Sequence, residues 1–254
     1  MSSSRETILN KLRTSLARPD LRFPPADAPP LTAVTRMTVT SASGDSYALA
    51  QRFGEEISKL SGTFEITETA AEARLATINK LLDWTNEEDE ARKGMRLETG
   101  QERQVLSWSF DALPLEGLPE SLHDLGLEVV SPKDLRSSEV RDAIRHIRFG
   151  ITGVEAAFAS TGSMLMASGP KTNRSASLLP FRHLALIPFS QLYPTIEAWL
   201  DVQRKGDLAQ YLRDHVNLAM ISGASKSADI EGQLTVGVHG PKFVHAILFD
   251  DSEV

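Results

Sequence analysis

The sequence Ser222-Gly-Ala-Ser-Lys-Ser-Ala-Asp-Ile-Glu231 lies between two short apolar runs, Leu218-Ala-Met-Ile221 and residues 243–249. The turn-forming sequence Val238-His-Gly-Pro241 precedes the second run. Short apolar runs bounded by Gly, Ser and Pro are typical of buried strands. We therefore expect the polar stretch to leave the end of one core strand and to return to a neighbouring strand.

The composition of this polar stretch indicates a binding loop. Ligands of open α/β sheets bind in the loops at strand ends. Small residues allow the backbone to approach a ligand, and consecutive N–H groups can form an anion-binding nest. The structural alternative is a loop rich in Ser and Gly in which Asp229 caps a helix.

The overall composition is that of an ordinary soluble globular protein. The chain has 254 residues, of which 41% are hydrophobic and 24% charged, and its net charge of −7 argues against a nucleic-acid or anionic-membrane partner. No apolar run approaches the length of a membrane span, and the N-terminus lacks the apolar core of a signal peptide, so we expect a cytoplasmic protein. Because there are no cysteines, this chain contains no disulfide, thiol nucleophile or Cys-ligated iron–sulfur cluster or zinc.

The first 30 residues are expected to form a helical arm separate from a single α/β domain at 31–254. Ser3-x-x-Glu6 is a capping-box pattern, and Ile8, Leu9, Leu12 and Leu16 lie on one helical face. Five prolines in residues 19–30 indicate an extended segment after this helix. The helix packs either on its own domain or on another subunit, so a homo-oligomer is one possible arrangement.

Helical and strand patterns alternate through the next part of the chain, which predicts a layered α/β domain. We expect strands near 63–67, 105–108, 127–130 and 183–188, and helices from Asp45 or Ser46 to Gly62, around 75–82, after Ser137 or Ser138, and at 193–203. Ten of the eighteen residues from 86 to 103 are charged, and we interpret this run as solvated.

Two apolar runs flank Thr161-Gly-Ser163, which predicts a β-hairpin. Glu155 precedes the turn among small apolar residues, so it is either a part-buried functional carboxylate or a solvated strand end. Arg174, in a polar loop, either holds an anion bidentately or lies free on the surface. His183 begins an apolar strand and is either an acid–base group or a hydrogen-bonded structural residue.

Known catalytic and cofactor motifs do not fit this chain. Neither a dinucleotide-binding Gly-x-Gly-x-x-Gly nor a phosphate loop occurs, and Gly223-x-Ser225-x-Ser lacks the second glycine of a nucleophile elbow. Asp229, Glu231 and His239 carry oxygen and nitrogen ligands, but their spacing matches no defined metal site. We therefore expect no metal.

Several short motifs together resemble the lactate-utilization protein C family, which has the LUD domain. These motifs are Gly150-Ile-Thr-Gly153, Thr161-Gly-Ser163, Arg174 with Ser177-Leu-Leu-Pro180 and His183, the stretch from Ser222 to Glu231, and Val238-His-Gly-Pro241. The N-terminal pattern Arg-Glu-x-Ile-Leu-x-x-Leu-Arg is also similar to the first helix of that family. The chain departs from the family pattern at Ser160, where relatives carry an acid, and at Ala224, where they carry proline.

The resemblance implies a fold and a role. The implied fold is a Rossmann-like, mostly parallel sheet with helices on both faces, as in ribose-phosphate isomerases and CoA-transferases. The implied role is the oxidation of L-lactate to pyruvate together with two partner proteins that carry iron–sulfur clusters. In such a complex we expect this cluster-free chain either to bind a small carboxylate or phosphate or to stabilise the assembly. The alternatives are a stand-alone isomerase or acyl/CoA-transferase-like enzyme with Glu155 or His239 as its base, or a structural partner with a vestigial pocket.

The site hypothesis joins the hairpin turn, the Ser222 stretch and the His239 turn at one edge of the sheet. His239 would handle a proton, Asp229 would orient it or the Ser225 hydroxyl, and Glu155 would share the same ligand or hydrogen-bond network. In the structural alternative, Asp229 caps a helix and His239 bonds to a backbone carbonyl. The predicted ligand-binding residues are Thr161, Gly162, Ser163, Arg174, His183, Ser222, Gly223, Ser225, Lys226, Glu231 and Gly240.

Overall fold

The computed structural model describes residues 4–18, 41–91, 103–215, 217–228 and 234–252. The chain divides into two units, Met1–Thr40 and Ser41–Val254. In the first unit, helix α1 (Ser4–Leu16) confirms the predicted N-terminal helix, and none of its residues is buried. The proline-rich segment 19–30 lies outside the described residues, and the domain boundary at residue 30 stays a prediction.

The second unit contains alternating helices and strands. Its helices are α2 (Ser46–Lys59), α3 (Ala70–Ala91), α4 (Leu118–Asp124), α5 (Ser138–Ile144), α6 (Ser175–Leu178), α7 (Ile196–Lys205) and α8 (Leu208–Asp214). Its strands are β1 (Thr63–Thr67), β2 (Gln104–Ser107), β3 (Glu128–Val130), β4 (Phe149–Thr152), β5 (Ala156–Phe158), β6 (Ser163–Ser168), β7 (Arg182–Pro188), β8 (Leu192–Tyr193), β9 (Asn217–Ile221), β10 (Lys226–Ala228), β11 (Leu234–Val236) and β12 (Phe243–Phe249).

Six strands form an entirely parallel sheet in the order β1-β12-β7-β4-β2-β3. Its central strands β7 and β12 are nearly continuous apolar runs and are buried along almost their whole length. Strands covered on both faces have this composition in parallel α/β sheets. The structure therefore confirms the predicted α/β fold.

Helices cover both faces of the parallel sheet. A Cβ on Gly54 of α2 would lie 2.2 Å from the ring of Phe64, so α2 packs on the face to which Phe64 points. Neighbouring residues of a strand point to opposite faces, and Thr63 bonds His245 on the other face (Oγ1 to Nδ1, 2.7 Å). Trp84 of α3 packs edge-on against His245, with ring centroids 6.3 Å apart, so α3 covers that second face.

A second sheet has the strand order β8-β5-β6-β9. Strands β5 and β6 pair antiparallel, which confirms the predicted hairpin. The expected adjacency of the runs 218–221 and 243–249 is wrong, because β9 pairs with β6 at the edge of this second sheet while β12 lies between β1 and β7. Burial explains the difference: β9 is only half-buried, with Met220 exposed, whereas β12 is buried on both faces.

The charge run at 86–103 contains a buried acid that the sequence did not reveal. Helix α3 extends into this run, and the Glu88 side chain is 8% exposed. Its carboxylate lies 2.8 Å from Arg148 Nε and 3.3 Å from Arg182 Nε. The interpretation of the run as solvated is therefore wrong at Glu88, because the amino ends of β4 and β7 bring two cations to it; residues 92–102 lie outside the described ranges.

Candidate functional site

The order of the parallel strands defines a switch point between β2 and β4. From β2 the chain continues outward to β3, whereas from β4 it continues in the opposite direction to β7 and then β12. Ligands of open α/β sheets bind at the carboxyl ends of the strands where this reversal occurs. In this chain those ends carry Ser107 and Trp108 on one strand and Thr152 and Gly153 on the other.

Glu155 follows the carboxyl end of β4, and its N–H donates to the carbonyl oxygen of Leu165 (2.8 Å). Burial, then the charge of the neighbouring Glu155 carboxylate and a hydrogen bond to that carboxylate, raise the pKa of the Tyr211 hydroxyl well above its ordinary value. The same two causes raise the pKa of Tyr193. The half-buried Glu155 thus lies near two phenol hydroxyls, an arrangement suited to proton sharing.

The loop that carries Arg174 reaches the same edge of the sheet. The Ser109 N–H donates to the carbonyl oxygen of Lys171 (2.8 Å), and Asn173 Nδ2 donates to the carbonyl oxygen of Ser107 (3.1 Å). Arg174 follows directly and is exposed at the start of α6. Arg174 is therefore placed near the carboxyl end of β2.

Four polar residues at this edge have buried atoms with no hydrogen-bond partner among the residues that the structure describes: Ser107 Oγ, Trp108 Nε1, Ser168 Oγ and Asn217 Oδ1. We call these residues, together with Glu155, the carboxyl-edge cluster. Sequence reasoning missed all four because none belongs to a motif. The available signal was the position of Trp108 directly after a strand at the switch point.

The predicted hairpin turn and the Ser222 stretch meet at the end of α2. Ser163 Oγ and Ser222 Oγ are 2.8 Å apart. A Cβ on Gly162 would lie 2.4 Å from the backbone nitrogen of Ile57, and a Cβ on Gly223 would lie 2.4 Å from the carbonyl oxygen of Leu60. Both glycines have positive φ, +61° and +74°. Contact with helix α2 therefore requires glycine at both positions, whether or not a ligand binds there.

The Ser222 stretch also meets the His239 turn. The Ser225 N–H donates to the carbonyl oxygen of Pro241 (2.9 Å), and the Gly237 N–H donates to the carbonyl oxygen of Ser225 (2.9 Å). A Cβ on Gly240 would lie 3.2 Å from Ser225 Cβ. We call the segments 161–163, 222–228 and 237–241 the amino-edge loops. The name refers to the amino ends of β1 and β12, because these segments precede β12 and flank the helix that precedes β1.

The other predicted site residues of these loops are either exposed or outside the described residues. Thr161, Lys226 and His239 are exposed, whereas Asp229 and Glu231 lie outside the described residues. The expectation that Glu155 joins this group is corrected by the topology, because Glu155 follows the carboxyl end of β4 while the loops stand at the amino ends of β1 and β12. Arg174 is separated from Gly223 for the same reason. The ligand-binding role of the amino-edge loops stays a prediction.

His183 lies in the interior, between the two groups. It is fully buried, and its Nε2 is 2.9 Å from Thr152 Oγ1. Burial lowers the pKa of His183 to about 4, so the ring is neutral at pH 7. This arrangement matches the structural alternative, a hydrogen-bonded core histidine.

The described part of the chain has no candidate metal site and no candidate membrane span. Within the described ranges, no three His, Asp or Glu side chains converge on a position that could hold a metal ion. In the same part of the chain, no helix has both the length and the apolar character needed to cross a membrane.

Comparison with known proteins places this architecture in a family. The LUD domain family matches residues 50–249. Proteins named lactate utilization protein C are similar in sequence: that of Halalkalibacterium halodurans is 32% identical over 61% of this chain and 66% of its own length, and that of Exiguobacterium sp. is 42% identical over 40% and 44%. That of Shouchella clausii is 28% identical over 76% of this chain and 86% of its own length.

The first two of these alignments span less than two thirds of the relatives' own length. A crystal structure of a DUF162 family protein from Deinococcus radiodurans has a similar fold, with a TM-score of 0.51 and 16% identity, over 82% of this chain and 99% of that one. At this identity the likeness concerns the fold alone. Because the family match covers most of the chain, including both candidate sites, the chain belongs to the LUD domain family.

Proposed function

We propose that this chain is a subunit of a system that oxidises L-lactate to pyruvate, and that it binds a small carboxylate. The observation that carries the proposal is the LUD domain match over residues 50–249, together with relatives named lactate utilization protein C. Oxidation of the alcohol releases two electrons and two protons. In this proposal the electrons pass to iron–sulfur partner proteins, and this subunit, which has no cysteine to ligate a cluster, holds or positions the acid.

Growth of a deletion strain tests this role. A strain without the gene should fail to grow on L-lactate as sole carbon source and should grow normally on pyruvate, the product of the step. The gene supplied in trans should restore growth on L-lactate. Normal growth of the deletion strain on L-lactate, in a background with no second lactate-oxidising route, would contradict the proposal.

Co-purification tests the partners. The tagged chain should recover iron–sulfur proteins from cells grown on L-lactate, seen as a brown eluate with bound iron and sulfide. The full chain purified alone should be colourless and should not oxidise L-lactate. Turnover of L-lactate by the isolated chain would assign the oxidation to this subunit instead.

A stand-alone enzyme of the isomerase or acyl-transfer kind is the second candidate. The observation in its favour is the position of Glu155, a half-buried carboxylate beside the hydroxyls of Tyr193 and Tyr211 after the carboxyl end of β4. Turnover of a sugar phosphate or an acyl-CoA by the isolated chain, lost in Glu155→Gln, would support it. Loss in the exposed His239→Gln variant instead would assign the base to the amino-edge loops.

A further inference from the structure

Strand β9 is an edge of the second sheet with one side open for pairing. In the ranges that the structure describes, β6 is the only strand that pairs with β9. Within the same ranges, no backbone hydrogen bond beyond this pairing involves residues 217–221. The second side of β9 therefore presents backbone N–H and C=O groups to which a further strand can bind.

The other edge strands of the two larger sheets are each protected against such pairing. An exposed acid lies on β1 (Glu65) and on β3 (Glu128), and β8 has only two residues. Charged side chains and short length are two ways in which proteins prevent pairing at an exposed edge. Strand β9 has neither protection, because its five residues, Asn217-Leu-Ala-Met-Ile221, include no charged residue and no proline. The composition of β9 thus permits pairing with another chain.

The apolar face of β9 is covered only in part. Leu218 packs against the buried cluster that contains Phe158 and Trp199. Met220 points to the same face as Leu218, because side chains two residues apart in a strand share a face, but Met220 is 49% exposed. A strand added beside β9 would therefore remove apolar surface from water and would also bond the open backbone groups.

The sequence of β9 is complementary to itself in an antiparallel pair. A twofold axis at Ala219 would place Leu218 opposite Met220 of the partner subunit, and Met220 opposite Leu218 of the partner subunit. Because the axis repeats each contact, one register forms two apolar pairs and brings no two charges together. We propose that β9 pairs with β9 of a second copy of this chain, antiparallel around Ala219.

Sedimentation equilibrium of the full chain tests this interface. The wild type should form a dimer, with twice the mass of one chain. Met220→Lys should raise the dissociation constant of the dimer by about tenfold or more, because the axis brings two charges into the apolar contact. The matched control Leu75→Lys makes the same change at an exposed position on α3 and should leave the dissociation constant unchanged.

Disulfide cross-linking tests the register of the pair. Because the chain has no cysteine, Ala219→Cys introduces a single thiol in each copy. Residues directly opposite each other on antiparallel strands have Cα atoms about 4.5–5.5 Å apart, which a disulfide can span. Oxidation with diamide should therefore link Ala219→Cys into a covalent dimer. The control Thr63→Cys, at an exposed position on the edge strand β1, should stay unlinked.

Each other outcome overturns the proposal. A wild type that sediments as a monomer at every concentration would show that β9 does not pair with itself. A dimer of unchanged strength in Met220→Lys, with folding verified by circular dichroism, would place the interface elsewhere on the molecule. A dimeric Ala219→Cys variant that forms no disulfide would exclude pairing around this residue.

Discussion

His183 is the residue whose burial has the clearest consequence in solution. In the unfolded chain its imidazole has the ordinary pKa of 6.5, whereas burial lowers the pKa to about 4 in the folded protein. Between these values the unfolded state binds the proton and the folded state does not, so stability falls as the pH falls from 6.5 towards 4. At pH 5 the loss from this one residue is on the order of 2 kcal/mol.

Urea denaturation at pH 7 and pH 5 measures this effect. The wild type should lose stability between the two, and His183→Gln, which cannot titrate, should lose on the order of 2 kcal/mol less. The control His239→Gln, at an exposed histidine, should follow the wild type. A loss in His183→Gln as large as in the wild type would show that His183 is not buried as a neutral ring.

Glu88 provides a second prediction at this scale. Its carboxylate is buried against Arg148 and Arg182, and removal of one charge from a buried network leaves the others uncompensated. Glu88→Gln should lower the free energy of unfolding by about 3 kcal/mol. Glu87→Gln, whose side chain is 60% exposed and also pairs with Arg182, should cost less than about 1 kcal/mol. Similar small losses in both variants would contradict the account of this network.

At the scale of elements, the glycines of the amino-edge loops are explained by helix packing. A methyl group on Gly162 or Gly223 would lie 2.4 Å from the backbone of α2 or of Leu60, which follows it, and both residues have positive φ. Gly162→Ala and Gly223→Ala should each destabilise the protein by roughly 2–5 kcal/mol, measured by thermal unfolding without ligand. Gly206→Ala is the control, since its nearest contact would be 3.5 Å at negative φ. Wild-type melting temperatures for the two loop variants would refute the packing explanation.

The end of α2 offers a stabilising substitution. Gly62 N–H donates to the Ile57 carbonyl and Ser61 N–H to the Ser58 carbonyl, which is a Schellman motif with Ser61 at φ +68°. The sequence pattern predicts the helix end at Gly62, but the residue with left-handed backbone is Ser61. Ser61→Gly should therefore raise the free energy of unfolding by about 0.5–1 kcal/mol, whereas Ser61→Ala should not. A melting temperature lowered by Ser61→Gly would contradict this prediction.

Helices and strands were largely predictable because their signals are local. Asp45 does cap α2, accepting from the Ala48 N–H at 2.8 Å, and Ser137 caps α5. Strand pairing was less accessible, because it depends on contacts between distant segments. The apolar runs that became β9 and β12 look alike in sequence, yet they belong to different sheets. Side-chain burial was also not evident from the sequence: Leu75, in the helix predicted around 75–82, is exposed, whereas α3 buries alanine and threonine at neighbouring positions.

At the scale of the whole molecule, the sequence motifs indicate a site at the amino edge of the parallel sheet, whereas the order of the strands indicates a site at its carboxyl edge. The sequence identified the amino-edge loops because glycines, serines and a histidine crowd together there. Much of that pattern follows from contact with α2, as Gly162 and Gly223 show. The carboxyl-edge cluster carries no motif: Glu155 was identified from the sequence, but Trp108, Ser168 and Asn217 became visible only when the order of the strands was known.

Hydrogen–deuterium exchange with and without L-lactate tests the central claim most directly. The claim is that the ligand lies at the carboxyl ends of β2 and β4. Saturating L-lactate should slow amide exchange in peptides that cover residues 105–111, 153–156 and 166–174, and should leave those covering 222–228 and 237–241 unchanged. Protection confined to 222–228 and 237–241 would contradict the account and would move the site to the amino-edge loops.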